Sequence, residues 1–472
     1  MRNRGETVNA VAKSSTSSPS AAQILADYAT SLRYEDLPPH VIELARQCLV
    51  DAVACAVFGK DFPWSQTVLE YARSTGEGGP CRLPGVPELR LGLPQAALAL
   101  GTFGHAFELD SLRKPGAGVH PGATVALPAL AAAQANGASG RDLLVAIVAG
   151  CEVMFRIGAA TLHTPEKVGF HAPGLTGPFG AATACGVLSG LSASQLTHAY
   201  GIAGSLASGL LAFARVGRGG MVKRLHLGRA AESGVLATNL AAAGYEGPDS
   251  VLDGEFGLLD TFCGESSPDL LTAGLRQQYE IERLCIKRYA CHVTAQAPVQ
   301  FLREQMATHG LTGHNIEAIV VRSSRKVVTH HSELEPNDIM LAQYSVPFTL
   351  AIAAFLDPID PCVFDEKALH SPDIRALAKR IQVTEREGPV PKGWGAEVEV
   401  HTYDGRIFTG TQEAFLGSPE EPLSQAALRA KFDALCAGLS ASDSMDLFDS
   451  LWHIEATQDL SQLVNSLDLA RT

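Results

Sequence analysis

The sequence predicts a mainly α protein: a large all-helical domain built from both ends of the chain, with a smaller α+β lid domain inserted at 275–415. Three observations predict it. Apolar residues recur with helical spacing from Ala21 to about Gly264. The 472 residues are 46% hydrophobic but only 6% aromatic and include 45 Gly, so small and aliphatic side chains must fill closely packed helices. After about residue 275 the pattern changes to β-branched runs and a hairpin signature.

Residues 1–20 are polar and Ser/Thr-rich, as expected of a mobile tail. The helical part then spans 21–274. Segment 40–58 places Ile42, Ala45, Leu49, Val53 and Val57 on one stripe. Pro94, a favoured first helical residue, opens a helix expected over 94–109. Further helices are expected at 122–136, 141–162, 178–190, 193–213 and 229–243. In the inserted part, 316–324 reads as a strand and 340–357 as an apolar helix. Residues 396–414 read as a hairpin turning at Asp404-Gly405. The end, 416–472, returns to the helical domain.

Composition excludes several functions. Lys+Arg 37 against Asp+Glu 50 gives −13, which argues against nonspecific nucleic-acid binding or a basic membrane surface. Ten cysteines include no CxxC pair, so a zinc ribbon is not expected. With no secretory signal in view, reduced thiols and a cytoplasmic location are expected. The most membrane-like run, 141–162, contains Glu152 and Arg156 and reads as a buried helix. Walker A, strand-GxGxxG, HExxH and GxSxG motifs do not occur, so chemistry must come from dispersed groups.

Four segments concentrate polar groups. In GHAFELDSLRKPGAGVHPGA (104–123), His105 and Glu108 fall one helical turn apart, with Asp110 and His120 following. The plain alternative is solvated acids and a core histidine. In VGFHAPGLTGPFGAATACG (168–186), His171 precedes a small-residue helix whose N-terminus favours anions, or else marks an ordinary loop. In 213–234, Arg215, Arg218, Lys223, Arg224 and Arg229 occur before any acid, which suits an anionic ligand or a solvated face. In CIKRYACH (285–292), Lys287 and Arg288 sit at the expected domain boundary. The His330-His331 pair is set aside as a metal site, because neighbours on a strand point to opposite faces.

The stretches HAFELD…HPGA, GFHAPGLTGPFGAA and KRLHLGRAAESGVLATNLAAAGYEGP (223–248), in this order, resemble the MmgE/PrpD family over nearly the whole chain. That family includes 2-methylcitrate dehydratases, cis-aconitate decarboxylases and iminodisuccinate epimerases. The resemblance implies a helical domain with an α+β lid, a homodimer, and no metal or organic cofactor. It implies catalytic roles for Glu108, His120, His171, Lys223, Lys287 and Tyr344, and substrate binding by Asp110, Leu112 and Arg224. Here the family's Asp-x-Asp-Asp-Thr is Glu108-Leu109-Asp110-Ser111-Leu112. Glu108 is one methylene longer, Ser111 loses a charge and Leu112 loses a hydroxyl.

The expected function is a lyase acting on a small anionic di- or tricarboxylate, first a 2-methylcitrate dehydratase-type hydro-lyase. Decarboxylation of a cis-aconitate-like acid and epimerisation are the alternatives within the family. A non-catalytic binding protein keeping the fold is the alternative from another class. With Leu112 beside the substrate, poor turnover of cis-aconitate is expected.

Overall fold

The computed structural model describes residues 18–116, 118–215, 220–388 and 394–462. Most of the expected N-terminal tail, Arg218 and the last ten residues lie outside these. The fold is mainly α. Its first elements are α1 (Ala21–Ser31), α2 (Pro39–Gly59), α3 (Pro63–Gly76), β1 (Glu77–Leu83), β2 (Val86–Leu91), α4 (Leu93–Gly104) and β3 (Leu112–Arg113). There follow α5 (Leu127–Asn136), α6 (Gly140–Ala160), α7 (Pro165–Val168), α8 (Ala172–Leu188), α9 (Ala193–Leu206), α10 (Val222–Ala242) and α11 (Leu258–Phe262).

α10 lies between α4 and α8. The crossings depend on missing side chains. A Cβ on Gly228 would come within 2.2 Å of Thr102 Oγ1 and 2.4 Å of Leu98 O on α4. One on Gly234 would meet Ala181 Cβ at 2.4 Å and Pro178 O at 2.6 Å on α8. Small residues therefore set the interhelical distance, as the composition suggested. α6 passes the length and hydropathy test for a membrane span, but 94% of its apolar window is buried inside the fold. Its N-terminus is closed by a capping box of Ser139 and Asp142.

The second half holds β4 (Leu284–Cys285), α12 (Val293–His309), β5 (Ile316–Ser323), α13 (Arg325–His330), α14 (Ile339–Tyr344) and α15 (Val346–Phe355). Next come α16 (Glu366–Leu369), α17 (Pro372–Ala378), β6 (Ile381–Glu385), β7 (Ala396–Thr402) and β8 (Ile407–Gln412). The last four-stranded sheet has the order β6-β5-β7-β8, with β5 parallel to β6 and antiparallel to β7. Along β7, Ala396, Val398, Val400 and Thr402 face inward, and α12 covers that sheet. Gly405 takes a φ of 84° in the β7–β8 turn, which the Asp-Gly pair anticipates. α18 (Gln425–Leu435) and α19 (Ala441–Trp452) return to pack on α2. There Lys431 forms a buried ion pair with Asp51 and donates to Leu109 O at 2.9 Å.

Several expectations need correction. The first half is not all-helical. The β1–β2 hairpin escapes a search for β-branched alternation because β1 reads EGGPCRL and the turn rests on Gly85, with a φ of 72°. α10 begins at Val222 rather than 229, and α9 ends at Leu206 rather than 213. The helix expected over 340–357 breaks at Ser345, whose hydroxyl caps α15 ahead of Pro347, a residue without an N–H to donate.

Candidate active site

The site is built on the stretch after α4. The helix stops at Gly104: the Ala106 N–H turns to Phe103 O, and the carbonyl of the C-cap residue His105 accepts from Arg224 Nη1 at 3.1 Å. His105 and Glu108 therefore do not share a helical face. Glu108 has a φ of 40°, a left-handed conformation uncommon for a residue with a Cβ and characteristic of functional loops. β3 then pairs antiparallel with β4, Leu112 opposite Cys285, and this register carries Lys287 back beside Glu108.

Four groups converge on the Glu108 carboxylate. Lys223 and Tyr344 both hydrogen-bond to it, and the Tyr344 hydroxyl donates at 3.2 Å. Arg224 Nη1 donates at 3.0 Å and Lys287 Nζ at 3.4 Å. The Lys223 ammonium also contacts the Tyr344 hydroxyl and lies 4.7 Å from the centre of its ring. Lys223 and Arg224 occupy the first turn of α10, a turn without an acid, so the helix dipole adds to their positive potential. Glu108, Lys223, Arg224 and Lys287 are all buried.

Burial alone would raise the Glu108 pKa, but Lys223, Lys287 and Arg224 overcome it and hold the carboxyl well below its ordinary range. Burial lowers Lys223 to about 8, with Glu108 opposing the shift. Burial, reinforced by the Glu108 charge, raises Tyr344 well above its usual value, so the phenol stays protonated.

A second group of side chains adjoins the first. Asp110 Oδ2 accepts from His105 Nδ1 at 2.9 Å and lies 2.8 Å from His120 Nδ1, close enough for an ion pair but out of line for a hydrogen bond. Burial opposes the Asp110 charge, yet His105 and His120 hold its pKa well down. Lys287 Nζ stands 3.8 Å from Asp110 Oδ1 and so links the two groups. His105 is pushed down to about 3 by burial, despite Asp110. The His105 and His171 ring centres are 6.5 Å apart, so His171 adjoins this group. Burial, then Lys223, lowers the His171 pKa well below its ordinary value. The donor atoms of His105, Asp110 and His120 lie within 4.8 Å of one another, a spacing that an ion fits. Asp110 Oδ2 is the oxygen that both imidazoles approach.

Two family models describe this chain. The MmgE/PrpD N-terminal domain matches residues 23–271 and the MmgE/PrpD C-terminal domain matches 289–450. The chain belongs to the MmgE/PrpD family. It is similar to the cis-aconitate decarboxylase of Aspergillus terreus (strain NIH 2624 / FGSC A1156), 28% identical over 469 residues, covering 93% of this chain and 94% of the relative. It is also similar to the cis-aconitate decarboxylases of Homo sapiens (27% over 456 residues, 92% of each chain) and Mus musculus (27% over 457 residues, 92% and 91%).

For a family member at this distance, the placement of individual residues matters more than overall identity. Glu108, Lys223, Arg224, Lys287 and Tyr344 meet at one carboxylate, and Asp110, His120 and His171 adjoin them. Leu112 does not join them. It packs with Cys285, Val293, Ala297 and Phe415 in a separate apolar cluster, because the β3–β4 pairing buries it there. Ser111 accepts from the Gly122 N–H and stabilises the loop. Arg229 pairs with Glu232 at the surface.

The resemblance gives no role to His105, His226 or His292, yet all three lie against residues of this site. His226 lies beside His171, with the two Nδ1 atoms 3.0 Å apart. His292 stacks on His331, with ring centres 4.0 Å apart, and leans on Tyr344 at 5.0 Å. His330 and His331 do not lie on a strand: α13 ends at exposed His330, while His331 is buried and its ring Nδ1 lies 3.1 Å from the Tyr344 carbonyl. A later start assigned to α10 hid His226, which otherwise falls one turn beyond Lys223.

Proposed function

We propose that this chain is a cofactor-independent lyase acting on a small di- or tricarboxylate, and that its reaction is decarboxylation of a cis-aconitate-like acid. The observation that carries this is the seating of Glu108. Three buried cations and a phenol already surround one carboxylate, so the same groups suit a carboxylate of the substrate. The family relatives named cis-aconitate decarboxylase favour CO₂ loss over the hydro-lyase reaction that the sequence alone put first.

The chemistry follows from these groups. The bond from carbon to CO₂ breaks and its electron pair stays on the carbon. Lys223, Lys287 and Arg224 stabilise that charge through the remaining carboxylates, in a buried site where fixed charges act strongly. His171 or His120 then delivers a proton to the carbon. Tyr344, protonated, hydrogen-bonds the substrate beside Lys223. Each step uses proton movement and charge stabilisation by side chains alone. Purified protein incubated with a panel of di- and tricarboxylates in D₂O should release CO₂ and place deuterium on the carbon that lost it. Water loss without CO₂ would return the reaction to the hydro-lyase class. Neither product nor deuterium with any acid would overturn the lyase reading.

A further inference from the structure

His226 lies outside the group around Glu108, yet it makes a direct polar contact with the His171 ring. Their Nδ1 atoms are 3.0 Å apart, with ring centres at 5.2 Å. Two imidazole nitrogens approach this closely only when one carries hydrogen and the other a lone pair. The arrangement is supported from several sides. His171 is the N-cap residue of α8, and its backbone N–H is anchored on Gly209 O at 3.0 Å. His226 sits on α10 one turn after Lys223. Phe213 packs edge-on against both rings, at 5.3 and 5.8 Å. A Cβ at Gly209 would lie 3.3 Å from His226 Nδ1 and 3.5 Å from His171 Cβ, so the glycine leaves room for the pair. His171 is 8% exposed, while His226 is only half-buried, so the pair runs from the closed site toward water.

We propose that His226 is the positioning residue and proton carrier of His171, so that the two imidazoles form a relay between solvent and the reacting carbon. The proposal rests on His171 being the proton donor of the lyase reaction. Before the step His171 carries hydrogen on Nε2, and its Nδ1 accepts from the Nδ1–H of His226. The carbanion left by CO₂ takes the Nε2 proton, forming a C–H bond. His226 passes its Nδ1 proton to His171 Nδ1 and takes a proton from water on its own Nε2, leaving a hydroxide that joins the released CO₂ as bicarbonate; proton exchange with solvent then restores the starting tautomer of each ring. One proton has entered from solvent and one has reached carbon, and both rings end neutral. The charges facing the pair suit neutral rings. Burial and Lys223 lower both imidazoles, and His105 and His120 also face His171.

The His226→Asn variant tests this, because its side-chain amide can still hydrogen-bond His171 at the Nδ1 position but cannot carry a proton onward. The expected result is a kcat lowered on the order of 10- to 100-fold, KM little changed, a flattened pH profile and partial rescue by added imidazole. A wild-type kcat and pH profile in the variant would overturn the relay. A second measurement needs no substrate. Long-range ¹⁵N spectra of histidine-labelled protein should show one proton shared between the Nδ1 atoms of His171 and His226. Nδ1 lone pairs on both rings would refute the contact itself, whatever acid the enzyme consumes. If the spectra show the shared proton and no acid is turned over, the contact stands and the lyase reading fails.

Discussion

Lys223→Met separates the chemistry of the site from its stability. Methionine keeps much of the apolar stem and removes only the ammonium. The lysine does not reach into a solvated cleft; it is 4% exposed, against Glu108 and Tyr344. Burial, partly offset by Glu108, lowers its pKa from 10.5 to about 8. At about 1.4 kcal/mol per pKa unit, keeping it charged near neutral pH costs the fold about 3 kcal/mol. Glu108 is not stranded by the change, because Arg224 at 3.0 Å and Lys287 at 3.4 Å remain. The expected melting temperature is therefore equal to or above that of the wild type, with a gain bounded by about 3 kcal/mol. Activity moves the other way. A charge-assisted hydrogen bond to a substrate carboxylate contributes about 1.5–3 kcal/mol. If it strengthens in the transition state, its loss lowers kcat/KM roughly 10- to 150-fold. Thermal melts and steady-state kinetics on the best acid of the panel measure both. Melting temperature and activity falling together would show a structural lysine, and unchanged kinetics would remove Lys223 from the site.

Activity should also decline as pH rises through about 8, where Lys223 loses its proton. Between there and about 10.5 the unfolded chain binds more protons at this position, so the group's contribution to stability rises while activity falls. A pH–rate profile flat to about pH 9.5 would contradict this. Lys431→Met strands the buried Asp51 carboxylate and frees Leu109 O, so stability should drop by about 3–5 kcal/mol in melts. The Asp51→Asn/Lys431→Met double variant should recover part of that loss. Leu112→Thr should cost roughly 1–3 kcal/mol by burying a hydroxyl in an apolar cluster. Its ranking of acids in the panel should stay that of the wild type. Gly228→Ala drives a methyl into Thr102 and Leu98 on α4 and should destabilise by about 1–3 kcal/mol, read in the same melts.

Much of the site was legible because each member stands in a local pattern. Glu108 and Asp110 follow a strongly apolar helix, and Lys223 lies in a cationic run without acids. What could not be read is how these patterns meet. The β3–β4 pairing joins residues 112 and 285 through two residues on each side, too short to show periodicity. It both delivers Lys287 to Glu108 and removes Leu112 from the site. The Asp51–Lys431 pair spans 380 positions, with nothing in either segment to announce the other. In the fold, strand signals rich in Val and Ile were recognisable at β5 and β7, whereas glycine and proline in β1 concealed a hairpin.

The charge balance around Glu108 explains why these distant segments must be held so firmly. Lys223, Arg224 and Lys287 supply three positive charges, and Glu108 and Asp110 supply two negative ones. These five side chains sum to one positive charge. A buried set of this kind repels itself unless each cation keeps its place against a carboxylate. Glu108 performs that task for all three, from a left-handed backbone that Lys431 steadies through the next carbonyl. An incoming carboxylate would neutralise the remaining charge, so binding would relieve the imbalance rather than add to it. The same cations would then face the electron pair left on carbon when CO₂ departs. The positive charge that burial makes costly to hold is thus, on the proposed reading, the one that favours decarboxylation, and α10 bears two of its three cations, Lys223 and Arg224, at its N-terminus, with His226 one turn further on.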